Sequence, residues 1–550
     1  METVKAIYKD KRIALVNVRT ADTHLLNDIA RIPGATYDKK TKRASMPIRR
    51  ATGILIKRWK IKTSDTVRAA FKRETQRQER PFKKQIKNFS PTLYPFQRAG
   101  VRAIEKNNGN ILIADDMGLG KTIQTLAYLA RHPEIRPAVV VCPASLKTNW
   151  QREIKTSMTG ESVYIATGRT PQQILHDVSI LVINYDILHN GRKESWRDTI
   201  AQMCPQLLVV DEIHYAKNQQ TKRARALIQL AQSCPRVVGL TGTAIQSRPA
   251  EAFTPIQLID PTLFRVKTHY MIRYCAAHHN GFRWDTTGAA NTDELHFILC
   301  ASIMIRRRKE DVLKQLPAKR RAAITIDIDN RAEYATAEKE FITWLMKTDP
   351  HAADRAAKAE AVTKVSYLKN LCATGKLKAT IEWIENFLIS TGNKLVVFNT
   401  FHTMTDGMRD HFADRCVALD GRTPANKRQA IVDAFNNDEK IRVFVGGLKS
   451  IGTGLNLQSS CSDTLHAGIG WTPGEHDQAE DRVHRIGQTK HVCAYYLICA
   501  NTIEEPIARI IDNKRRVVRS ILDGRNVSND DLLAKLMEEY RKGKSDANKH

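Results

Sequence analysis

The sequence predicts an α/β protein with two lobes, each a parallel sheet flanked by helices, preceded by a small basic α+β module. Three observations carry this. Short apolar runs recur at 138–142, 180–183, 207–210 and 237–240, separated by helical stretches, the alternation that marks a parallel sheet covered on both faces. A second series of the same kind begins near Lys394, with runs at 395–398, 416–419, 443–445, 465–469 and 492–498. Between the basic segment and the first series lies ILIADDMGLGKTIQTL, residues 111–126, which reads as a strand (110–114), a glycine-bearing loop and a helix (121–130).

The chain has 550 residues, enough for several domains of roughly 100–200 residues each. Its net charge of +29 points to a polyanionic partner, nucleic acid above all. The charge is uneven: residues 1–90 hold 24 Lys and Arg against 8 Asp and Glu, so 16 of the 29 lie there. A solvated basic surface is the plainer explanation of such a run. No apolar run approaches the roughly 18 residues of a membrane span, and METVKAIYKDK lacks the apolar core of a signal peptide. Ten cysteines without a CxxC pair imply free thiols in a reducing compartment. Cys275, His278, His296 and Cys300 have a spacing that could hold zinc. HFILC is an apolar helical stretch in which Cys fills core, so no structural zinc is expected.

From the N-terminus, residues 1–62 read as the α+β module: a strand at 13–18, a helix at 21–32 broken by Pro33-Gly34, a hairpin at 35–47 carrying Lys39, Lys40, Lys42 and Arg43, and a helix at 49–59. The hairpin could lie along a phosphate backbone or be an edge protected by lysines. Residues 63–90 read as a basic helix and linker. Gln97, on a turn ahead of the glycine loop, could read an adenine edge with its amide.

The first lobe spans 91–262. Its loop (Asp115, Asp116, Met117, Gly118, Leu119, Gly120, then Lys121 and Thr122) is a phosphate cradle. Backbone N–H groups and a helix N-terminus face an anion, Lys121 adds positive charge, and Thr122 offers a hydroxyl to Mg²⁺. Asp115 stands where the general P-loop pattern has Gly. The strand ends carry polar groups: Pro143-Ala144-Ser145, Asn184-Tyr185, Asp211-Glu212 and Thr241-Gly242-Thr243. Ligands of open α/β sheets sit at such ends. Asp211 can hold Mg²⁺ and Glu212 can orient and deprotonate a water, which with ATP makes a phosphoryl-transfer site. A capping Asp-Glu pair at a helix start is the structural alternative.

Residues 263–375 read as helical insertions, with a basic cluster at Arg306, Arg307, Arg308 and Lys309. The second lobe, 376–525, has no P-loop of its own, so a nucleotide cleft between lobes is expected. Arg482 and Arg485, spaced i, i+3 on a helix face, would be arginine fingers, or else surface residues paired with Glu480 or Asp481. Residues 526–550 read as a polar tail.

The order ADDMGLGKT, DEIH, LTGTAIQ, MIRRRKEDVLKQLP, GLKSIGTGLNL, WTPGEHDQAEDRVHRIGQ, NTIEEPI resembles the SWI/SNF-type branch of the superfamily-two helicase-like ATPases over about residues 90–512. In that family Asp at the position of Asp115 is usual, and DEIH differs from the commoner DEAH by one residue. RYCAAHHNGFRWDTTGAANTDEL and IPGATYDKKTK resemble the HepA-related (HARP) annealing-helicase group, whose small N-terminal module is linked to forked DNA. The resemblance implies two RecA-like lobes, ATP and Mg²⁺ as cofactors, and DNA as partner. It implies that Gln97 contacts adenine and that Gly118, Gly120, Lys121 and Thr122 hold phosphates and Mg²⁺. Asp211 would bind the metal and Glu212 be the base. Thr241, Thr243 and Gln246 would couple hydrolysis to lobe movement, Gly454 and Asn456 would sit at the cleft, and Gln478, Arg482 and Arg485 would complete it. DNA would be touched near Ser145, Lys147, Tyr185 and Thr400.

The expected function is a DNA-dependent ATPase that translocates on duplex or branched DNA and anneals strands or remodels forks. Rival readings are a strand-separating helicase, a DNA-binding protein that does not hydrolyse ATP, and a nucleosome remodeller. The expected setting is the cytoplasm of a bacterial or virus-infected bacterial cell, or the nucleus of a eukaryotic one.

Overall fold

A computed structural model of the chain describes residues 4–32, 34–48, 50–168, 170–171, 177–188, 195–242, 248–279, 284–347, 355–451 and 455–512. It divides into two units, the first built from residues 1–277 and 289–312, the second chiefly from 313–517.

The first unit opens with the basic module, a five-stranded sheet in the order Thr36–Asp38, Arg43–Pro47, Arg12–Val16, Lys5–Lys9, Lys62–Thr63. The first four strands are antiparallel neighbours and the last is parallel to Lys5–Lys9. The hairpin forms where its sequence requires, and its tip lysines Lys39, Lys40 and Lys42 are exposed. Lys5–Lys9 escaped the sequence reading because only Ala6 in it is buried, so it carries almost no apolar signal. Helices Thr23–Ala30 and Arg50–Arg58 complete the module, and helix Asp65–Glu79 follows, its N-terminus capped by Ser64. Arg58 ties the module to the lobe: its guanidinium bonds Asp293 at 2.7 Å and meets Asp28 at 3.1 Å.

The lobe itself is a seven-stranded, all-parallel sheet ordered Met304–Ile305, Ile111–Ile113, Val237–Leu240, Leu207–Asp211, Ala138–Cys142, Ile180–Asn184, Val163–Ile165. The five inner strands are wholly buried, which is why they read as continuous apolar runs rather than alternating ones. The two edge strands have two and three residues, too short to leave a periodic signature.

The second unit holds a six-stranded parallel sheet ordered Lys319–Ile326, Val492–Cys499, Asp463–His466, Leu395–Asn399, Val443–Gly447, Cys416–Leu419. Two features depart from the sequence reading. The stretch expected to hold only helical insertions contains Lys319–Ile326, an eight-residue edge strand. Its exposed residues are Arg320, Arg321, Ala322, Ala323 and Thr325, so charged and small residues blunt the edge and no apolar alternation shows. The strand expected at 465–469 lies at Asp463–His466 instead, starting on buried polar residues; Asp463 is met by Ser462 at 2.8 Å and Asn393 at 3.2 Å. The expected helices at the end of the insertion are Arg331–Lys347, Arg355–Gly375 and Leu377–Thr391. The polar tail, 526–550, lies outside the described residues. Among the described residues no helix is long and apolar enough to cross a membrane.

At Gly446, inside Val443–Gly447, a Cβ would stand 2.0 Å from the backbone carbonyl oxygen of Leu419. Gly446→Ala is expected to destabilise the second unit by about 1–3 kcal/mol, read by thermal denaturation. An unchanged melt would contradict the pairing of these two strands.

Candidate active site

The glycine loop leaves strand Ile111–Ile113 and enters helix Lys121–Arg131 at Gly120, the N-cap, whose φ of +73° suits glycine. A Cβ there would also strike the Gln97 amide at 2.5 Å. Lys121 Nζ folds back onto the loop, donating to the carbonyl oxygens of Asp115 at 2.9 Å and Asp116 at 3.4 Å. Burial pushes its ammonium down, against the pull of Glu212, Asp115, Asp211 and Asp116. Gln97 is buried. Its Oε1 accepts from Tyr94 N at 2.9 Å and its Nε2 donates to the Leu119 carbonyl at 3.2 Å. It therefore supports the loop, and reading adenine would require its amide to leave Leu119. Met117 packs against the turn after strand Val237–Leu240: a Cβ on Gly242 would meet its Cγ at 2.3 Å.

Asp115, where the general pattern has glycine, points into the lobe and has no exposed surface. Arg307 grips it. Arg307 N and Nε donate to Oδ1 at 3.0 and 2.9 Å, and Nη2 pairs with Oδ2. Burial, the largest influence, would raise this carboxyl, but Arg307 together with Lys121 and Gln124 holds the group below its usual range. The same guanidinium donates to Gln124 Oε1 at 2.7 Å and to the Phe96 carbonyl. Arg306 bonds the Ala114 carbonyl at 2.8 Å and meets Asp116 at 3.1 Å, and Lys309 N donates to Asp116 Oδ2 at 3.0 Å. Within the RRRK run, read from sequence only as a basic cluster, Arg306, Arg307 and Lys309 brace the glycine loop, while Arg308 pairs with Glu310 and Asp311. The bracing role was hidden because residues 192 positions apart in the chain meet only through the edge strand Met304–Ile305.

Strand Leu207–Asp211 delivers the two acids. Asp211 Oδ2 accepts from the indole of buried Trp150 at 2.8 Å, and Oδ1 from Glu212 N at 2.9 Å. Burial, then the charge of Glu212, pushes Asp211 up to about 7. Glu212 adopts φ +50°, an uncommon conformation for a non-glycine residue and one that turns the chain sharply at the strand end. His214 Nδ1 lies 3.2 Å from Thr241 Oγ1 and 3.3 Å from Glu212 Oε2. Burial takes His214 down to about 3, so the ring beside Glu212 is neutral and the contact is not an ion pair. Lys121, Asp211, Glu212, His214 and Thr241 thus form one charged and hydrogen-bonded cluster at the carboxyl edge of the sheet.

The expected DNA contacts fare differently. Ser145 is exposed just after strand Ala138–Cys142. Lys147 is half-buried, with Nζ on the Ala166 carbonyl at 2.8 Å. Tyr185 departs from expectation: it is 2% exposed, and its hydroxyl donates to the Asp211 carbonyl at 2.7 Å, so it supports the acidic turn from beneath. Thr400, in the second unit, is exposed beside a cavity of about 320 Å³ that it shares with Lys369, Lys449 and Trp471.

Also in the second unit, helix Pro473–Glu480 carries Gln478 but ends before Arg482 and Arg485. The two arginines therefore do not share the expected helix face; they lie on the turns that follow. Arg482 is buried and donates to the Gln478 carbonyl at 3.1 Å, while Arg485 donates to Asn456 Oδ1 and to the Leu455 carbonyl. Glu480 and Asp481, the surface partners considered for them, are engaged by Lys319 at 2.8 and 3.2 Å. Thr122 is half-buried at the start of its helix. Thr243, Gln246 and Gly454 lie outside the described residues. Cys275, His278, His296 and Cys300 form no metal-ligating group among the described residues. Cys372, Cys499 and Glu504 do cluster, but Lys376 already sits 2.8 Å from both oxygens of Glu504.

Comparison with known proteins agrees with this geometry. Residues 66–377 match the family described as the SNF2-related domain, and residues 375–487 the helicase conserved C-terminal domain. The chain is 35% identical over 438 residues to SWI/SNF-related matrix-associated actin-dependent regulator of chromatin subfamily A-like protein 1 of Xenopus tropicalis, covering 78% of this chain and 44% of that protein. It is 32% identical over 445 residues to DNA annealing helicase and endonuclease ZRANB3 of Homo sapiens, covering 79% of this chain and 40% of that one. The chain therefore matches less than half the length of these relatives.

The raised Asp211 carries a sign. Folded protein retains a proton that the unfolded chain releases near 3.8, so this contribution to stability is complete below that pH and is lost as pH rises through about 7. Measured by urea unfolding, the stability of wild type minus that of Asp211→Asn is expected to be larger at pH 5 than at pH 8, by about 2 kcal/mol. An equal difference at both values would contradict the crowding of Asp211.

Proposed function

The chain belongs to the SNF2-related family, and from that premise we propose that it is a DNA-dependent ATPase that moves along duplex or branched DNA and anneals strands or remodels forks. One observation carries the reading: Lys121, Asp211 and Glu212 stand in one cluster with the loop braced behind them, which is the equipment of ATP hydrolysis.

In this reading the ATP phosphates take over Lys121 from the carbonyl oxygens of Asp115 and Asp116, while Gly118, Gly120 and the helix N-terminus offer N–H groups to them. The residues also suit Mg²⁺. Two adjacent carboxyls, one pushed up to about 7, are a donor set that a divalent cation would stabilise, and Asp211 with Thr122 would hold it. When bound, the ion supplies charge neutralisation at the phosphates. Glu212 orients a water and takes its proton as the water oxygen attacks the γ-phosphorus. The bond to the β–γ bridging oxygen breaks, and ADP and phosphate leave. The neutral His214, within 3.3 Å of Glu212 and 3.2 Å of Thr241, would be a route by which hydrolysis is felt beyond the site. Gln478, Arg482 and Arg485 would act on the transferred phosphoryl group, as the family resemblance implies; in the second unit Arg482 donates to the Gln478 carbonyl and Arg485 to Asn456.

DNA is the proposed partner because positive charge is concentrated in the module and its hairpin tip is exposed. Ser145, Lys147 and Thr400 remain proposed backbone contacts, with Tyr185 acting through the acidic turn. The proposed setting is the compartment holding DNA: the bacterial cytoplasm or the eukaryotic nucleus.

The test is ATP turnover without DNA and with single-stranded, duplex and forked DNA. Stimulation by duplex or fork is expected. Stimulation by single strands alone would favour a strand-separating helicase, and no turnover on any DNA would leave a DNA-binding module. Glu212→Gln is expected to retain ATP binding and lose turnover by about a hundredfold or more; wild-type turnover would remove Glu212 as the base. Changing Lys39, Lys40 and Lys42 together to Gln is expected to weaken duplex binding and flatten its salt dependence by about 0.9 in log–log slope for each DNA phosphate no longer neutralised. An unchanged slope would take the hairpin off the DNA.

A further inference from the structure

The basic residues in and around MIRRRKEDVLKQLP are not spread at random along the connector between the two units. At its start, within the first unit, Arg306 and Arg307 hold Asp116 and Asp115 of the phosphate loop. Strand Met304–Ile305 runs beside Ile111–Ile113, and Asp116 N donates to the Arg307 carbonyl at 3.0 Å. At its end, within the second unit, Arg321 Nε donates to Glu480 Oε1 and Nη2 to Asp477, each at 2.7 Å. Lys319 adds its ammonium to Glu480 at 2.8 Å and to Asp481 at 3.2 Å. His484 Nε2 meets the Pro317 carbonyl at 2.9 Å, and Tyr496 donates to Glu480 at 2.7 Å. The Glu480 side chain has no exposed surface, and Lys319 with Arg321 holds it well below the usual carboxylate range against the cost of burial. It sits between Gln478 and Arg482.

We infer that residues 304–321 are a positioning element for ATP hydrolysis, whose first end sets the phosphate loop through Arg307 and Asp115 and whose second end sets the Gln478–Arg485 turn through Arg321 and Glu480. This rests on the ATPase reading above. Two acids with no exposed surface, Asp115 and Glu480, are neutralised from one stretch of chain, each next to residues assigned to the phosphates. Eleven residues separate Arg307 from Lys319 in the chain. The guanidinium fork matters at both ends: it bonds two groups at once in fixed geometry, which an ammonium cannot.

The ends should fail differently. Arg307 lies behind the binding loop, so Arg307→Lys and Arg307→Gln are expected to weaken ATP binding about tenfold or more, with a smaller effect on kcat. Arg321 lies behind residues assigned to the transition state, so Arg321→Gln is expected to lower DNA-stimulated kcat about tenfold or more while ATP affinity stays within about twofold. Arg321→Lys is expected to recover part of that loss, because the charge on Glu480 returns without the fork. Arg320→Gln, on the opposite face of the same strand and exposed, is the control and should match wild type. Direct nucleotide titration and thermal melts accompany the kinetics on the full chain. Unchanged binding in both Arg307 variants, or kcat and affinity falling together in step with melting temperature at both ends, would overturn the inference. Wild-type protein that neither binds nor hydrolyses ATP would instead end the ATPase reading itself.

Discussion

The buried pair of Asp115 and Arg307 is the constraint on which the rest of the site depends. Asp115 follows directly on the strand-to-loop junction, where the phosphate loop must hold its shape without a ligand. A carboxylate with no exposed surface is costly unless it is paired and fully hydrogen-bonded, and here Arg307 and Gln124 meet both conditions. Removing one partner of such a pair typically costs about 3–5 kcal/mol, because the other charge stays buried. With the loop braced from behind, its carbonyl oxygens hold Lys121 where a phosphate can replace them.

The acidic turn works by the opposite device. Burial first, and then the charge of Glu212, pushes Asp211 up to about 7 against the pull of Lys121. Trp150 and Tyr185 fix the turn with directed hydrogen bonds while adding no charge. Asp115 is held below its usual range by an arginine within the fold, whereas Asp211 is raised, although both follow parallel strands.

Much of this was legible in the sequence, for a physical reason. Inner strands of a parallel sheet are buried on both faces, so Ala138–Cys142 and Val237–Leu240 announced themselves with their observed bounds. The loop and the acids were legible because phosphate chemistry demands few residue types at fixed spacing. What escaped was whatever depends on distant contact. Arg307 read only as one of a basic cluster until the two-residue strand Met304–Ile305 brought it to Asp115. Lys319–Ile326 looked irregular because an edge strand wears polar residues outward. Tyr185 looked like a DNA contact because a polar strand end gives no sign of which way the ring will turn. Arg482 and Arg485 looked like one helix face because spacing alone does not reveal that the helix stops at Glu480.

The most direct test of the account is a double-mutant cycle on nucleotide affinity, with Asp115→Asn, Arg307→Gln and the two combined, each titrated with ATP. If the pair braces the loop as a unit, each single change weakens binding and the combination is no worse than the poorer single. Losses that simply add, or single variants that bind ATP as wild type does, would contradict the claim that this ion pair sets the phosphate loop.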